Sequence, residues 1–355
     1  MRRTTARVTA LAAALLVLMS GLAAAQTVDY STFEDSFESF ATDVASSLPL
    51  NSSIGNTTPD AYIGKLLSAP PRFSIGLTTG ASTIPYETIE TAMNDLNLDT
   101  GQINQFSGIG VPLPAYTVDV RLGGFVLPFD VGLKVGGVPR TDFGVMPTEV
   151  EYLLAGADVR YAVIEENAVL PNLSIGAGYN FLSGQIFVPN VVNAGYQVDI
   201  PDGSGGIQSS LRLSDPDLTF NWQTSVVDFK VQASKKFLVV TPYAGFGTSV
   251  GLSSAGGGLF SKLQYDPDGP GAAGYSDVTR GDISDIEDDF NSVGIDPPDI
   301  DPEEGISIGS DVNGWAFRAF GGVGFNILAL RLDVGVGYDI LGRNVLGSVS
   351  GRFQL

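Results

Sequence analysis

Histidine and cysteine are both absent from the 355 residues, which removes most catalytic machinery at once. No imidazole is available as a general base beside a nucleophilic serine, and no thiol for covalent catalysis or soft-metal binding. Carboxylate and guanidinium chemistry remains. Eleven charged residues fall on alternate positions of apolar stretches: Asp119, Arg121, Asp130, Lys134, Asp158, Arg160, Arg318, Arg331, Asp333, Asp339 and Arg352. Their signs nearly balance. Such a set either cross-pairs and fills a small lumen or lines a narrow polar path and sets ion selectivity. A mechanism run on carboxylates alone is a third use, and the expectation is that the chain is not an enzyme.

A second concentration of charge lies at 261–312, where fourteen carboxylates face only Lys262 and Arg280. Asp296, Asp299, Asp301, Glu303 and Glu304 form a candidate site for a loosely bound divalent cation, since calcium favours clustered oxygen ligands. They do not make an EF-hand. Glu304 stands where glycine is required and Ser310 where glutamate is required. A solvated external loop is the alternative, and no dedicated cofactor is expected. Gly321-Gly322-Val323-Gly324 lies inside a strand pattern and lacks the lysine and helix of a phosphate loop.

The stretches carrying the eleven charges alternate with period two. Tyr116, Val118, Val120 and Leu122 alternate with Thr117, Asp119, Arg121 and Gly123, and Leu330 to Ile340 repeats the pattern most clearly. One face is uniformly apolar, the other glycine, serine and charge. A soluble sandwich hides its apolar face, whereas a membrane barrel turns it to lipid and keeps small or charged residues in the lumen. About ten such stretches follow Arg72, each near the length a tilted spanning strand needs. Short connections alternate with long ones at 79–114, 138–149, 183–218 and 252–313, as in barrels with tight periplasmic turns. Both termini are then expected in the periplasm. The predicted class is therefore all-β, an antiparallel transmembrane barrel of about ten strands. Eight or twelve also fit, because Gly195–Leu213 has room for another hairpin. A slip of phase near Ser225 suggests a bulge.

Ahead of the barrel region, Phe33, Phe37, Phe40 and Val44 recur at helical spacing within 29–50, marking a short amphipathic helix. It would plug the barrel, lie on the periplasmic mouth, or meet a partner. Earlier still, Arg2, Arg3 and Arg7 precede an apolar run of about a dozen residues and Ala23-Ala24-Ala25, the order of a secretory signal. The expected organisation is a signal peptide at 1–25, helix and linker at 26–71, and the barrel at 72–355 with a long acidic loop at 252–313. A net charge of −20 excludes nucleic acid as a partner. Expected instead are outer-membrane lipid in a diderm bacterium and a small solute the sequence does not name.

The last residues, Val349-Ser350-Gly351-Arg352-Phe353-Gln354-Leu355, resemble the terminal strand through which outer-membrane barrels engage the barrel-assembly machinery, although Leu stands where Phe is usual. Ala157–Phe181, Ala233-Ser234-Lys235-Lys236-Phe237 and Thr241-Pro242-Tyr243 resemble an uncharacterised family of exported barrel proteins of the Bacteroidetes and spirochaete type. The resemblance implies an outer-membrane barrel and brings no catalytic residues.

Overall fold

The computed structural model describes residues 30–68, 71–87, 90–91, 104, 107–108, 110–142, 149–188, 197–201, 207–214, 217–260, 262–267, 274–292 and 306–355. The segment read as a signal peptide lies outside the described residues. So do the candidate cation ligands Asp296, Asp299, Asp301, Glu303 and Glu304 and the side chains of Phe33 and Phe37.

Ten strands close on themselves. They are β1 (Phe73–Ile84), β2 (Val111–Gly123), β3 (Phe129–Asp142), β4 (Glu149–Ile164), β5 (Asn172–Val188), β8 (Asp217–Ser234), β9 (Val240–Phe260), β12 (Ile306–Ile327), β13 (Leu330–Asp339) and β14 (Val345–Gln354). The order round the barrel is β1-β14-β13-β12-β9-β8-β5-β4-β3-β2, and β14 returns antiparallel to β1 with Ser74 opposite Gln354 and Ser82 opposite Leu346. Closure leaves no strand edge unpaired, which is what a sheet in hydrocarbon requires.

The alternation in the sequence becomes an inside and an outside. Leu133 is 60% exposed and Val336 61%, whereas Asp130 and Arg160 are fully buried. Ile75, Leu77, Val118, Val120, Val159, Phe229, Val231, Phe246, Val334 and Val349 continue the outer belt. A continuous apolar girdle of this extent has no place on a soluble monomer and matches the lipid-facing band of a transmembrane barrel.

The expected bulge near Ser225 is not present. Ser225 pairs in register with Phe181 on one side and Leu252 on the other, and barrel irregularities fall instead at Val138–Thr141 and Ala162–Ile164. The phase slip has another cause. Phe220, Trp222 and Val226 point inward with Asp228 and Lys230, so the inner face changes from apolar to charged along one regular strand.

The extra hairpin exists but stands outside the barrel wall. β6 (Gln197–Pro201), β7 (Ile207–Leu213), β10 (Leu263–Asp266) and β11 (Ser276–Asp277) form a separate sheet at the long-loop end. Helix α2 (Ile283–Ser292) joins it through Ile286, packed with Ile200, Leu211, Tyr265 and Val278. The stretch expected as one acidic loop therefore contains strand extensions, a sheet and a helix. Asp282 accepts from the amide and hydroxyl of Thr279 just before α2, and those bonds, the hydroxyl's first, hold its carboxyl below the usual carboxylate range.

Helix α1 (Tyr30–Ser52) packs its described side chains, from Phe40 onward, against the inward residues of the barrel. Its last turns, from Ser47 to Ser52, are buried on all sides. Phe40 packs on Phe220 with ring centroids 5.0 Å apart, and Val44 and Leu48 meet inward residues such as Leu154, Leu182 and Trp222. Each fully buried leucine of this kind contributes about 1.5–3 kcal/mol.

Both termini were expected in the periplasm; among the described residues, helix α1 begins toward the long-loop end. Thr42 Oγ1 donates to Ser310 Oγ at 2.7 Å, near the long-loop end. Asn51 reaches Ser82 and Leu113, Ala61 N–H reaches Ser234, and Ile63 N–H reaches Asp130 beside the short turns. The segment runs from the outer end to the inner end, then turns back at Gly64–Arg72 to start β1.

Candidate functional site in the plugged lumen

The inner half of the lumen is a charge network built on Asp130. Arg160 grips it with two parallel bonds, Nε to Oδ1 and Nη2 to Oδ2, both 2.8 Å. Arg121 Nη1 approaches the same Oδ1 at 2.6 Å and its Nη2 reaches Asp158 at 2.6 Å. Lys230 lies 3.3 Å from Asp158, while Arg318 bonds both oxygens of Asp228 at 2.6 and 2.7 Å. Strand alternation explains the convergence: neighbouring strands in register bring each inward residue opposite another inward residue.

The same side chains hold the plug by its backbone. Lys134 donates to the carbonyls of Ser52 and Ile54 at 2.5 and 2.7 Å, and Lys230 to that of Asn56 at 2.5 Å. Gln232 donates to Thr58 O, and Arg160 to Thr58 Oγ1 and Asp60 O. Asn56 Nδ2 reaches Asp228, and Gln354 Nε2 reaches the carboxylate of Asp60 at 2.6 Å. These carbonyls belong to the last residue of α1, Ser52, and to the irregular segment after it, where no helix or sheet satisfies them, so the wall supplies what secondary structure would. Gly55, at φ +84°, lies in close contact with the wall. A Cβ there would overlap the Thr117 hydroxyl, and the left-handed backbone itself favours glycine.

Of the eleven charges, Asp119, Arg121, Asp130, Lys134, Asp158, Arg160, Arg318, Asp333 and Arg352 face the lumen in its closed part. Two do not join them. Arg331 is half-buried at the inner rim and donates to Leu328 O, while Asp339 sits at the outer β13–β14 turn and accepts from Leu341 N–H. Lys134 meets peptide carbonyls rather than the carboxylate expected of it. Asp228, Lys230 and Gln232 were missed, although they alternate with Val227, Phe229 and Val231 and carried the same signal. Asn56, Thr58 and Asp60 had no periodicity to reveal them.

No family model matches the chain, and no curated protein matches it. Among solved structures, it is similar to the outer membrane protease OmpT from Escherichia coli, with 9% identity over 80% of this chain and 95% of that one, at a TM-score of 0.39. The translocator domain of autotransporter NalP from Neisseria meningitidis is similar with 10% identity over 80% and 88%, at a TM-score of 0.31. Ail, the attachment invasion locus protein of Yersinia pestis, is similar with 9% identity over 80% and 97%, at a TM-score of 0.21. Likeness at this level carries no argument. The barrel rests on its own strand order, closing register and apolar girdle.

Proposed function

We infer that the chain is an outer-membrane barrel that passes small solutes when its own N-terminal segment yields. The observation that carries this reading is the contrast between plug and wall. The plug from 53 to 63 is irregular and is held by side-chain hydrogen bonds, with no covalent tie. The wall behind it is polar throughout its inner half, from Ser74 and Thr78 through Asp119 and Lys134 to Ser234 and Thr241. Sealing alone could be achieved by apolar packing without the free-energy cost of burying charge, and the bonds to the plug use only part of this wall. Water would wet it as soon as the plug moved. The absence of imidazole and thiol bases favours passage over catalysis.

The test uses the cysteine-free background. In Thr42→Cys/Ser310→Cys the two new thiols replace hydroxyls 2.7 Å apart, so oxidation ties the helix to β12. The oxidised protein in a planar bilayer is expected to be silent, with current steps returning on reduction. Steps unaffected by oxidation would contradict a gate at the helix.

One observation favours a second reading, a surface-interaction barrel. At the outer end, β4, β5, β8, β9 and β12 outrun the apolar girdle and turn polar outward, leaving a concavity of about 660 Å³ with Glu151, Gln185, Asn221, Gln223 and Asp311 on its walls. A barrel silent in every state, yet retained on envelope polysaccharide, would favour it.

A further inference from the structure

The plug is fastened unevenly. Its bonds to β3, β4 and β8 run continuously from Ser52 to Ile63. Toward β13, β14, β1 and β2 the described residues give bonds only at its two ends: Asn51 to Ser82 and Leu113 above, Gln354 to Asp60 below. Between those ends the plug rests against hydroxyls and glycines, and a cavity of about 20 Å³ lies between Ser53–Thr57 and the β13-β14 side of the wall (Gly335, Gly337, Leu346 and Ser348), reaching Tyr243 and Phe320 on β9 and β12. That is room for one water.

Among the described residues, polar atoms without a partner on the opposite wall include the Asn180 amide, Gln232 Oε1 and Ser249 Oγ, and on this wall they are more numerous. The hydroxyls of Ser74, Thr78 and Thr117 are buried without a hydrogen bond, and so are all three guanidinium nitrogens of Arg352 and Oδ2 of Asp119. Arg352 is 1% exposed, and its approach to Asp119 is a long 3.7 Å. The two lean over Gly76, where any Cβ would meet them both. Buried polar groups without partners are costly, so hydration of this wall is the favourable direction of change, whereas parting the plug from β3, β4 and β8 breaks many bonds.

We propose that the solute path opens between Ser53–Thr57 and the β13-β14-β1-β2 wall, and that it takes small uncharged hydrogen-bonding solutes rather than ions of one sign. The lining supports that class. Ser74, Thr78, Thr117, Ser348 and Ser350 both donate and accept, and the charges are Arg352 with Asp119 and Asp333 close by, and Arg121, whose guanidinium is held by Asp130 and Asp158. No ring of like charge selects an ion. This inference rests on the gated reading above.

The experiment places single cysteines in the Lys134→Met/Lys230→Met background, in which the plug has lost three carbonyl bonds. Thr78→Cys and Ser348→Cys lie on the proposed path, and Ser174→Cys lies inside β5 on the opposite wall. Methanethiosulfonate reagents are expected to block current through the first two at least about five-fold more than through the third, whichever charge the reagent carries. A potassium chloride gradient is expected to show cation and anion permeabilities within about two-fold of each other, and liposomes are expected to admit a small polyol. Preferential block at Ser174→Cys, or strong selectivity for one ion sign, would overturn the path while leaving the gate intact. A background variant that never conducts would remove the gate and the path with it.

Discussion

Asp130→Leu is expected to lower the unfolding free energy of the refolded barrel by about 3–5 kcal/mol, the cost of breaking a buried charge pair from one side. Asp130 is fully buried, receives Arg160 through two bonds and Arg121 through a third, and also accepts the Ile63 amide. Its removal leaves two buried guanidinium groups sharing what is left of the network and one plug amide unpaired. Leucine keeps aspartate's branching but is bulkier, so part of the loss is overpacking, and Asp130→Asn, which matches aspartate in size, isolates the charge. Urea titration in lipid vesicles, followed by the heat-dependent gel shift of the folded barrel, measures it. Asp130→Leu/Arg160→Met is expected to recover more than half of the loss, because removing both partners costs far less than stranding one. A loss below about 1 kcal/mol, the range of exposed pairs, would mean that the network is bathed in water and the lumen is open.

Lys134→Met/Lys230→Met is expected to leave the barrel folded and to unseat the plug. The two ammonium groups make three bonds to the carbonyls of Ser52, Ile54 and Asn56, and a hydrogen bond to a charged group contributes about 1.5–3 kcal/mol. Losing them shifts the population of released plug upward by about 100-fold or more. Open probability in a bilayer and protease cleavage within 40–63 both report it. Unchanged cleavage with unchanged conductance would show that the apolar contacts of Phe40, Val44 and Leu48 alone hold the segment.

The barrel was legible because lipid outside and polar groups inside act on every strand, so alternation survives in each one. Strand number followed from the same pattern. The outer sheet was not legible: β10 and β11 span four and two residues, too short for any period to register, and their core forms only when Tyr265, Val278 and Ile286 meet. Phe220 and Trp222 misled for the opposite reason. Their strand is regular, but an apolar helix stands where lumen is expected to be polar, and no local pattern announces what lies across a cavity. The eleven charges were recognised as inward-facing, whereas several of their partners were not: Lys134 and Arg160 bond the backbone carbonyls of Ser52, Ile54 and Asp60, and a carbonyl leaves no mark on residue type. The helix was legible as a helix. Its threading direction was not, because amphipathic spacing fixes a buried face and says nothing about which end points outward.

The chain carries its own probe of inside and outside. Its two tryptophans lie on opposite faces: Trp222 points inward, 6% exposed beside Phe220, and Trp315 points outward, 58% exposed and stacked on Phe317. In liposomes containing brominated lipid, Trp222→Phe, which keeps Trp315, is expected to lose most of its fluorescence, while Trp315→Phe, which keeps Trp222, is expected to lose little. Equal quenching of the two, or quenching of Trp222 alone, would contradict a lipid-facing girdle around a filled lumen.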